Sequence, residues 1–222
     1  MDRANVVVVG IGDPVLVRVL EVFADVWCPF THVGLRRLME ARVRLGRDDV
    51  VVRVRAWPLE LVNGEPLSAD LVAEEIRALR EAVAPDLFTG FNPGRFPSTS
   101  LPALALAAFA YRRDDRAGEQ VSLALRTALF EEGRDIADLA ELKAIAQSVD
   151  MEYPNADAEE VIRDDWQEGR RRGVLGSPHF FADGHGFFCP SLTINRVDDH
   201  LQITTDPEAF ATFVAAAFTQ PG

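Results

Sequence analysis

The chain has 222 residues, enough for one large domain or one domain carrying a sizeable insertion. Its 48% hydrophobic and 26% charged residues suit an ordinary folded protein, and a net charge of −12 argues against nucleic-acid or anionic-membrane partners, whose phosphates it would repel. Two cysteines far apart do not make a disulfide framework, and no window approaches the roughly 20 apolar residues of a membrane span.

In chain order, the opening Met1-Asp2-Arg3-Ala4-Asn5 lacks the basic start and long apolar stretch of a secretory signal, so a cytoplasmic location is expected. Val6-Val7-Val8-Val9 reads as a short buried strand. The Gly10-Ile11-Gly12 behind it has no third glycine opening a helix, so no dinucleotide turn is expected. A stronger strand, Leu16-Val17-Arg18-Val19-Leu20-Glu21-Val22-Phe23, leads to Asp25-Val26-Trp27-Cys28-Pro29-Phe30-Thr31. There an apolar strand meets a Cys-Pro turn and then a helix. Pro29 suits the first helical position, where its missing N–H would have had no intrahelical partner. A thiolate at that place is favoured by free backbone N–H groups and the positive end of the helix dipole. Cys28 is therefore read as an activated sulfur.

The dithiol form of this motif is Cys-x-x-Cys, but the fourth position here is Thr31. A dithiol site releases a trapped mixed disulfide by internal attack of its second cysteine, and this one needs another thiol. Thr31 instead offers a hydroxyl to hold the Cys28 thiolate. Asp25 has two open readings: it relays the thiol proton, or it bonds local backbone N–H groups. His32, in the first helical turn, is expected to face solvent.

The helix from about residue 29 to 44 ends near Gly46, and Val50-Val51-Val52-Arg53-Val54-Arg55-Ala56-Trp57 is the next strand. The βαβ unit predicts parallel strands with a right-handed crossover. From 68 to 172 the pattern is helical, with starts suggested by Ser68, Ser100, Asp115, Asp135 and Asp157. Residues 101–111 read as a buried helix, and the aromatics of loop 88–98 read first as core residues and second as the lining of a cleft mouth. Arg170-Arg171-Arg172 is expected to cap helix carbonyls. Then His179-Phe180-Phe181-Ala182 and Gly186-Phe187-Phe188-Cys189 flank Asp183-Gly184-His185 as a hairpin, and Asp206-Pro207-Glu208 opens a last helix through Phe218. The four histidines and two cysteines lack metal-ligand spacing, so no metal site is expected.

Strands, a helical insertion, strands: the class expected is α/β, a thioredoxin fold with a large all-helical insertion. The chain resembles the DsbA-like thioredoxin superfamily, in the FrnE-type branch that includes 2-hydroxychromene-2-carboxylate isomerases and kappa-class glutathione transferases. Three segments carry the resemblance: 25–34 around Cys28, Phe130-Glu131-Glu132-Gly133-Arg134-Asp135-Ile136, and Gly173-Val174-Leu175-Gly176-Ser177-Pro178-His179-Phe180-Phe181. The division it suggests is a thioredoxin-like domain of residues 1–66 and 173–222 and a helical insertion domain of 67–172.

The resemblance implies a cis bond before Pro178, packed beside Cys28, which would turn the Ser177 backbone outward to pair with an extended thiol substrate. It implies catalytic roles for Cys28, Thr31 and Pro178, and substrate contacts at Trp27, Pro29, Phe30, Ser177 and His179. Cys189 lies two strands from the Cys28 strand in the usual order, an offset of about 10 Å. A disulfide needs Cα atoms within about 7 Å, so Cys189 is read as a structural thiol. The activity implied is a thiol–disulfide oxidoreductase working by a monothiol route. It would have no tightly bound cofactor, a small thiol such as glutathione as cosubstrate, and small disulfides or protein thiols as partners. A glutathione-dependent isomerase or transferase is the alternative, and a non-catalytic thioredoxin-fold binding module is the third reading.

Overall fold

The computed structural model describes residues 17–154, 156–198 and 200–218, so the strand read at Val6-Val7-Val8-Val9 lies outside the described residues. Two apolar-rich runs form parallel strands, β1 (Arg18–Ala24) and the valine-rich β2 (Val50–Ala56), in register from Arg18 opposite Val50 to Ala24 opposite Ala56. Between them runs α1 (Pro29–Arg44), which ends where Gly46 adopts a φ of +63°. β3 (His179–Ala182) pairs antiparallel with β1, and β4 (His185–Phe188) continues the sheet in the order β2-β1-β3-β4. The sheet draws strands from both ends of the chain, as the pattern of elements required.

Six helices fill the middle: α2 (Leu59–Asn63), α3 (Ala69–Ala82), α4 (Leu101–Arg113), α5 (Asp115–Phe130), α6 (Leu139–Gln147) and α7 (Ala158–Arg171). Ser68, Ser100 and Asp157 occupy N-cap positions as expected. α5 is capped by Asp114 rather than Asp115, and α6 starts three residues late because Asp138, not Asp135, accepts the Ala140 N–H. α4 and α5 cross closely at Gly118, where an added Cβ would lie 2.0 Å from the Tyr111 ring.

β2 is an edge strand, and three helices finish its hydrogen bonding. Val52 N–H donates to Glu119 of α5 at 2.6 Å, and Ala56 N–H to Asp165 of α7 at 3.1 Å. Tyr111 of α4 accepts from Val54 N–H at 3.0 Å and donates to the Val52 carbonyl at 2.9 Å. An open edge invites pairing with another chain, so these side chains both satisfy and block it. The cores follow the same arrangement. Leu20, Val22, Leu35, Leu38 and Phe180 pack the sheet against α1 and a last helix, α8 (Pro207–Phe218). Val26 and Trp27, from the turn before Cys28, belong to the core of the helical segment.

Two expectations need correction. A second hairpin, β5 (Leu192–Val197) with β6 (His200–Thr205), stands before α8 as its own two-stranded sheet. Its Leu192, Ile194, Leu201 and Ile203 share a core with Val72 and Ile76 of α3, so it needs the helical segment to bury its face. The three arginines at the end of α7 do not cap carbonyls. Arg170 lies over Trp166, Arg171 pairs with Glu168, and Arg172 pairs with Glu21 and lies 3.7 Å from the Phe181 ring centroid.

Candidate functional site

β1 delivers the chain into the turn at residues 25–28, and Cys28 takes the N-cap position of α1 with Pro29 behind it. The side chain does not cap the helix. Its S–H donates to the Ser177 carbonyl at 3.1 Å, and the residue is only 3% exposed. The Ser177–Pro178 bond is cis, and Gly34 of α1 faces Pro178 and Phe180. Ser177 Oγ accepts the Asp25 backbone N–H at 2.9 Å and lies 2.8 Å from Thr31 Oγ1. One serine thus ties the end of β1, the first turn of α1 and the sulfur together. Thr31 Oγ1 thus meets Ser177 Oγ and also acts on the sulfur in the direction that favours the thiolate.

Burial pushes the Cys28 thiol above its ordinary value, against hydrogen bonding from Ser177 and Thr31 that favours the thiolate, and the Glu75 charge adds to the rise. This direction is opposite to the one expected of an activated sulfur: burial outweighs the bonds that favour the thiolate. Asp25 is fully buried and accepts from Leu59 N–H at 2.6 Å, Trp27 N–H at 3.3 Å and Ser100 Oγ at 3.2 Å. Burial outweighs those bonds and raises its carboxyl to about 7. Asp25 thus follows the second of its two readings, bonding the backbone N–H of Trp27 in its own turn and of Leu59 at the start of α2. Glu75 of α3 is also raised to about 7 by burial and by Glu74.

His32 is 3% exposed, which corrects its placement in solvent. It sits between Phe88 and Phe130 and meets Glu131 Oε1 at 2.7 Å. Burial lowers the His32 pKa against the pull of Glu131, and the bonds from His32, Phe88 and Thr89 hold Glu131 down to about 2 despite its own burial. Glu131 also accepts from Phe88 N–H at 3.0 Å and from Thr89 N–H at 3.1 Å. Gly133, at a φ of +62°, lets this segment close on the loop: an added Cβ would lie 2.4 Å from the Gly90 carbonyl. The motif at 130–136 is therefore a clamp on loop 88–96. The loop's aromatics point inward rather than lining a cleft mouth: Phe88 is 2% exposed and Phe96 stacks on Trp27 at 5.4 Å.

That cover corrects further assignments. Trp27 is fully buried and Pro29 is buried, so neither is open to a substrate, while Phe30 stays partly exposed. His179 is buried, accepts the Leu175 N–H at Nδ1 and stacks on Phe181 at 4.7 Å; it closes the loop before it. Ser177 is partly exposed, and beside it Leu175 and Phe188 are 75% and 50% exposed. Cys189 follows β4, two strands from β1, as a free and buried thiol pushed up to about 12. The residue that sequence reasoning missed is Arg126 of α5, 2% exposed beneath the turn, where it donates to the Asp25 carbonyl at 3.0 Å. Its arginine lies in an amphipathic helix about 100 residues from the motif, with no local signal to mark it.

Among the described residues no group of histidines, cysteines and carboxylates is placed to hold a metal, and no helix is long and apolar enough to cross a membrane. None of the curated proteins matches the chain. Solved structures do match in fold. A probable DsbA oxidoreductase from Streptomyces coelicolor aligns at a TM-score of 0.57 and 18% identity, covering 92% of this chain and 91% of that one. The cytosolic disulfide reductase DsbM from Pseudomonas aeruginosa aligns at 0.52 and 16%, covering 90% and 92%. A 2-hydroxychromene-2-carboxylate isomerase aligns at 0.55 and 17%, covering 77% and 88%. The family model of the DSBA-like thioredoxin domain matches residues 19–202. That match runs from the second residue of β1 into β6 and leaves no strand of the four-stranded sheet outside it: the chain belongs to the family of DSBA-like thioredoxin domains.

Proposed function

We propose that the protein is a thiol–disulfide oxidoreductase that works through Cys28 alone, with a small thiol such as glutathione as cosubstrate. The observation that carries this is the Cys28 S–H bonded to the Ser177 carbonyl beside Pro178, with threonine at the place of a second thiol. Loss of the thiol proton leaves that carbonyl without its donor and next to a negative sulfur. A substrate amide N–H placed on the carbonyl relieves both, so substrate docking and thiol ionisation favour one another.

The sulfur then attacks a disulfide, forming a Cys28 mixed disulfide and expelling one thiolate. A second small thiolate attacks the mixed disulfide, forms the new small disulfide and returns the Cys28 thiolate. In this reading the thioredoxin-like part, residues 1–66 and 173–222, brings the sulfur and its carbonyl, and the insertion, 67–172, brings the cover. Pro178 shapes the docking strand, Ser177 receives the substrate, and Phe30 offers a partly exposed ring from the Cys28 motif. The working compartment is the cytoplasm, where small thiols are abundant and reduced. The solved neighbours include DsbM, also determined with glutathione, which supports a small thiol as partner.

The test is mass analysis of Cys189→Ala protein after exposure to glutathione disulfide. A single adduct on Cys28, released by added thiol and absent in Cys28→Ser, is expected. Failure to form an adduct with any of a panel of small disulfides would overturn the proposal. Glutathione-dependent isomerisation of an aromatic substrate by that unreactive protein would then select the isomerase reading.

A further inference from the structure

α1 and α5 run antiparallel and are tied together at both ends. His32 Nε2 meets Glu131 Oε1 at 2.7 Å at one end, and Arg42 Nη1 donates to both Glu119 oxygens at 2.8 and 2.7 Å at the other. Between the two ties the helices enclose a cavity of about 440 Å³. Residues 32 to 42 cover roughly 15 Å of helix, which sets its length. Leu35, Met39 and Leu123 give it an apolar floor, and Thr127 brings a hydroxyl to its wall. Neither Cys28 nor Ser177 lines it, so it is separate from the thiol site and reaches the Cys28 motif only through His32.

The charge at its rim is unusual for this chain. Of the arginines of α1, Arg37 donates to the Ser191 and Val83 carbonyls at 2.9 and 3.1 Å, and Arg42 is held by Glu119. Arg36 and Arg44 are exposed at the cavity and make no ion pair or side-chain hydrogen bond among the described residues. In a protein of net charge −12, two unpaired guanidinium groups beside an apolar floor reverse the sign locally. Arg36 lies one turn after His32 and Thr127 one turn before Glu131, so the two stand level across the cavity. The acidic groups nearby leave that place free. Glu131 is engaged by His32 and by the N–H groups of Phe88 and Thr89, and Glu40 is exposed one turn further along the rim.

We propose that this cavity binds a small molecule with a single carboxylate and an unbranched apolar chain. The carboxylate sits between Arg36 and Thr127, accepting from the guanidinium and the hydroxyl, and the chain runs over Leu35, Met39 and Leu123 towards the Arg42–Glu119 tie. The volume is at the lower end of the roughly 300–1,000 Å³ of small-molecule sites. An extended peptide does not suit it, because both walls are helices whose backbone groups bond internally and offer no strand edge. A second headgroup charge does not suit it either: Arg36 and Arg44 are roughly 12 Å apart along α1, so one headgroup meets one of them. Arg44 then serves to draw the anion in. This site goes beyond the proposed function and does not rest on it.

The experiment is calorimetric titration of the reduced full-length chain with octanoate, decanoate and dodecanoate, with decanol and decylammonium for comparison. One molecule is expected to bind per chain, about fourfold more tightly for each added methylene, and decylammonium is expected not to bind. Arg36→Gln, at an exposed position, is expected to weaken decanoate about tenfold or more and to leave decanol unchanged. Val43 is 75% exposed at the far end of the cavity, so Val43→Asp is expected to weaken decanoate more than octanoate. No saturable binding of the three carboxylates below about 1 mM would overturn the proposal, as would decanoate binding that Arg36→Gln leaves intact. Cys28→Ser is expected to bind decanoate like the native chain. A protein that forms the glutathione adduct and binds no carboxylate therefore loses this site alone, and one that binds carboxylates and forms no adduct loses the oxidoreductase reading alone.

Discussion

Cys28 and Cys189 are both buried thiols, 3% and 6% exposed, and both are raised by burial, yet they sit in opposite surroundings. Cys28 lies at a helix N-cap with Ser177 and Thr31 acting to favour its anion. Cys189 lies in a turn at a φ of +43°, its backbone N–H bonded to the Pro178 carbonyl, with only the Arg37 charge drawing its pKa down against burial. Burial alone does not separate a structural cysteine from a reacting one. What separates them is whether donors and charge already surround the sulfur before it ionises.

The sharpest way to break that contrast is to exchange the roles. Cys28→Ser abolishes mixed-disulfide formation, whereas Cys189→Ala keeps the native rate of adduct formation by mass analysis. The next effect is on stability. Asp25 rises from 3.8 to about 7 on folding, so its contribution is fully present below pH 3.8 and is lost as pH rises through 7. That loss is of the order of 4 kcal/mol, and Asp25→Asn flattens the corresponding slope in denaturant midpoints between those limits.

Smaller changes sharpen the picture of the cover. Glu131→Gln weakens the His32 bond and the clamp on Phe88 and Thr89, costing about 2 kcal/mol in denaturant unfolding. It also speeds alkylation of Cys28 more than that of Cys189, since loop 88–96 covers the Cys28 side through Phe96 and Trp27. The smallest expected change is Thr31→Val. It removes the contact to Ser177 Oγ, costs about 1 kcal/mol in the same unfolding measurement and raises the Cys28 thiol pKa.

These groups differ in how legible they were in the sequence. The strand, the Cys-Pro turn and α1 are local features, set by an apolar run and a proline at the first helical position. Their bounds were readable to within two residues. The position of Ser177 beside the sulfur came through resemblance, because nothing local brings together residues 149 apart. His32 was misplaced for the same physical reason: its partner Glu131 is 99 residues away, and a histidine in a first turn reads as solvated until that carboxylate is known. The β5–β6 hairpin was missed because its turn at Asp198 has no glycine to mark it, and its apolar face is completed by α3. Arg126 carried no signal at all, since a lone arginine in an amphipathic helix is ordinarily a surface residue.

Turnover by a single sulfur is what sets the proposed mechanism apart from a dithiol one. It is tested most directly by steady-state, glutathione-dependent reduction of a small mixed disulfide by Cys189→Ala protein. Full activity with ping-pong kinetics, and none in Cys28→Ser, is the predicted result. Loss of turnover on removal of Cys189, or its survival without Cys28, would rule out a mechanism that runs on Cys28 alone.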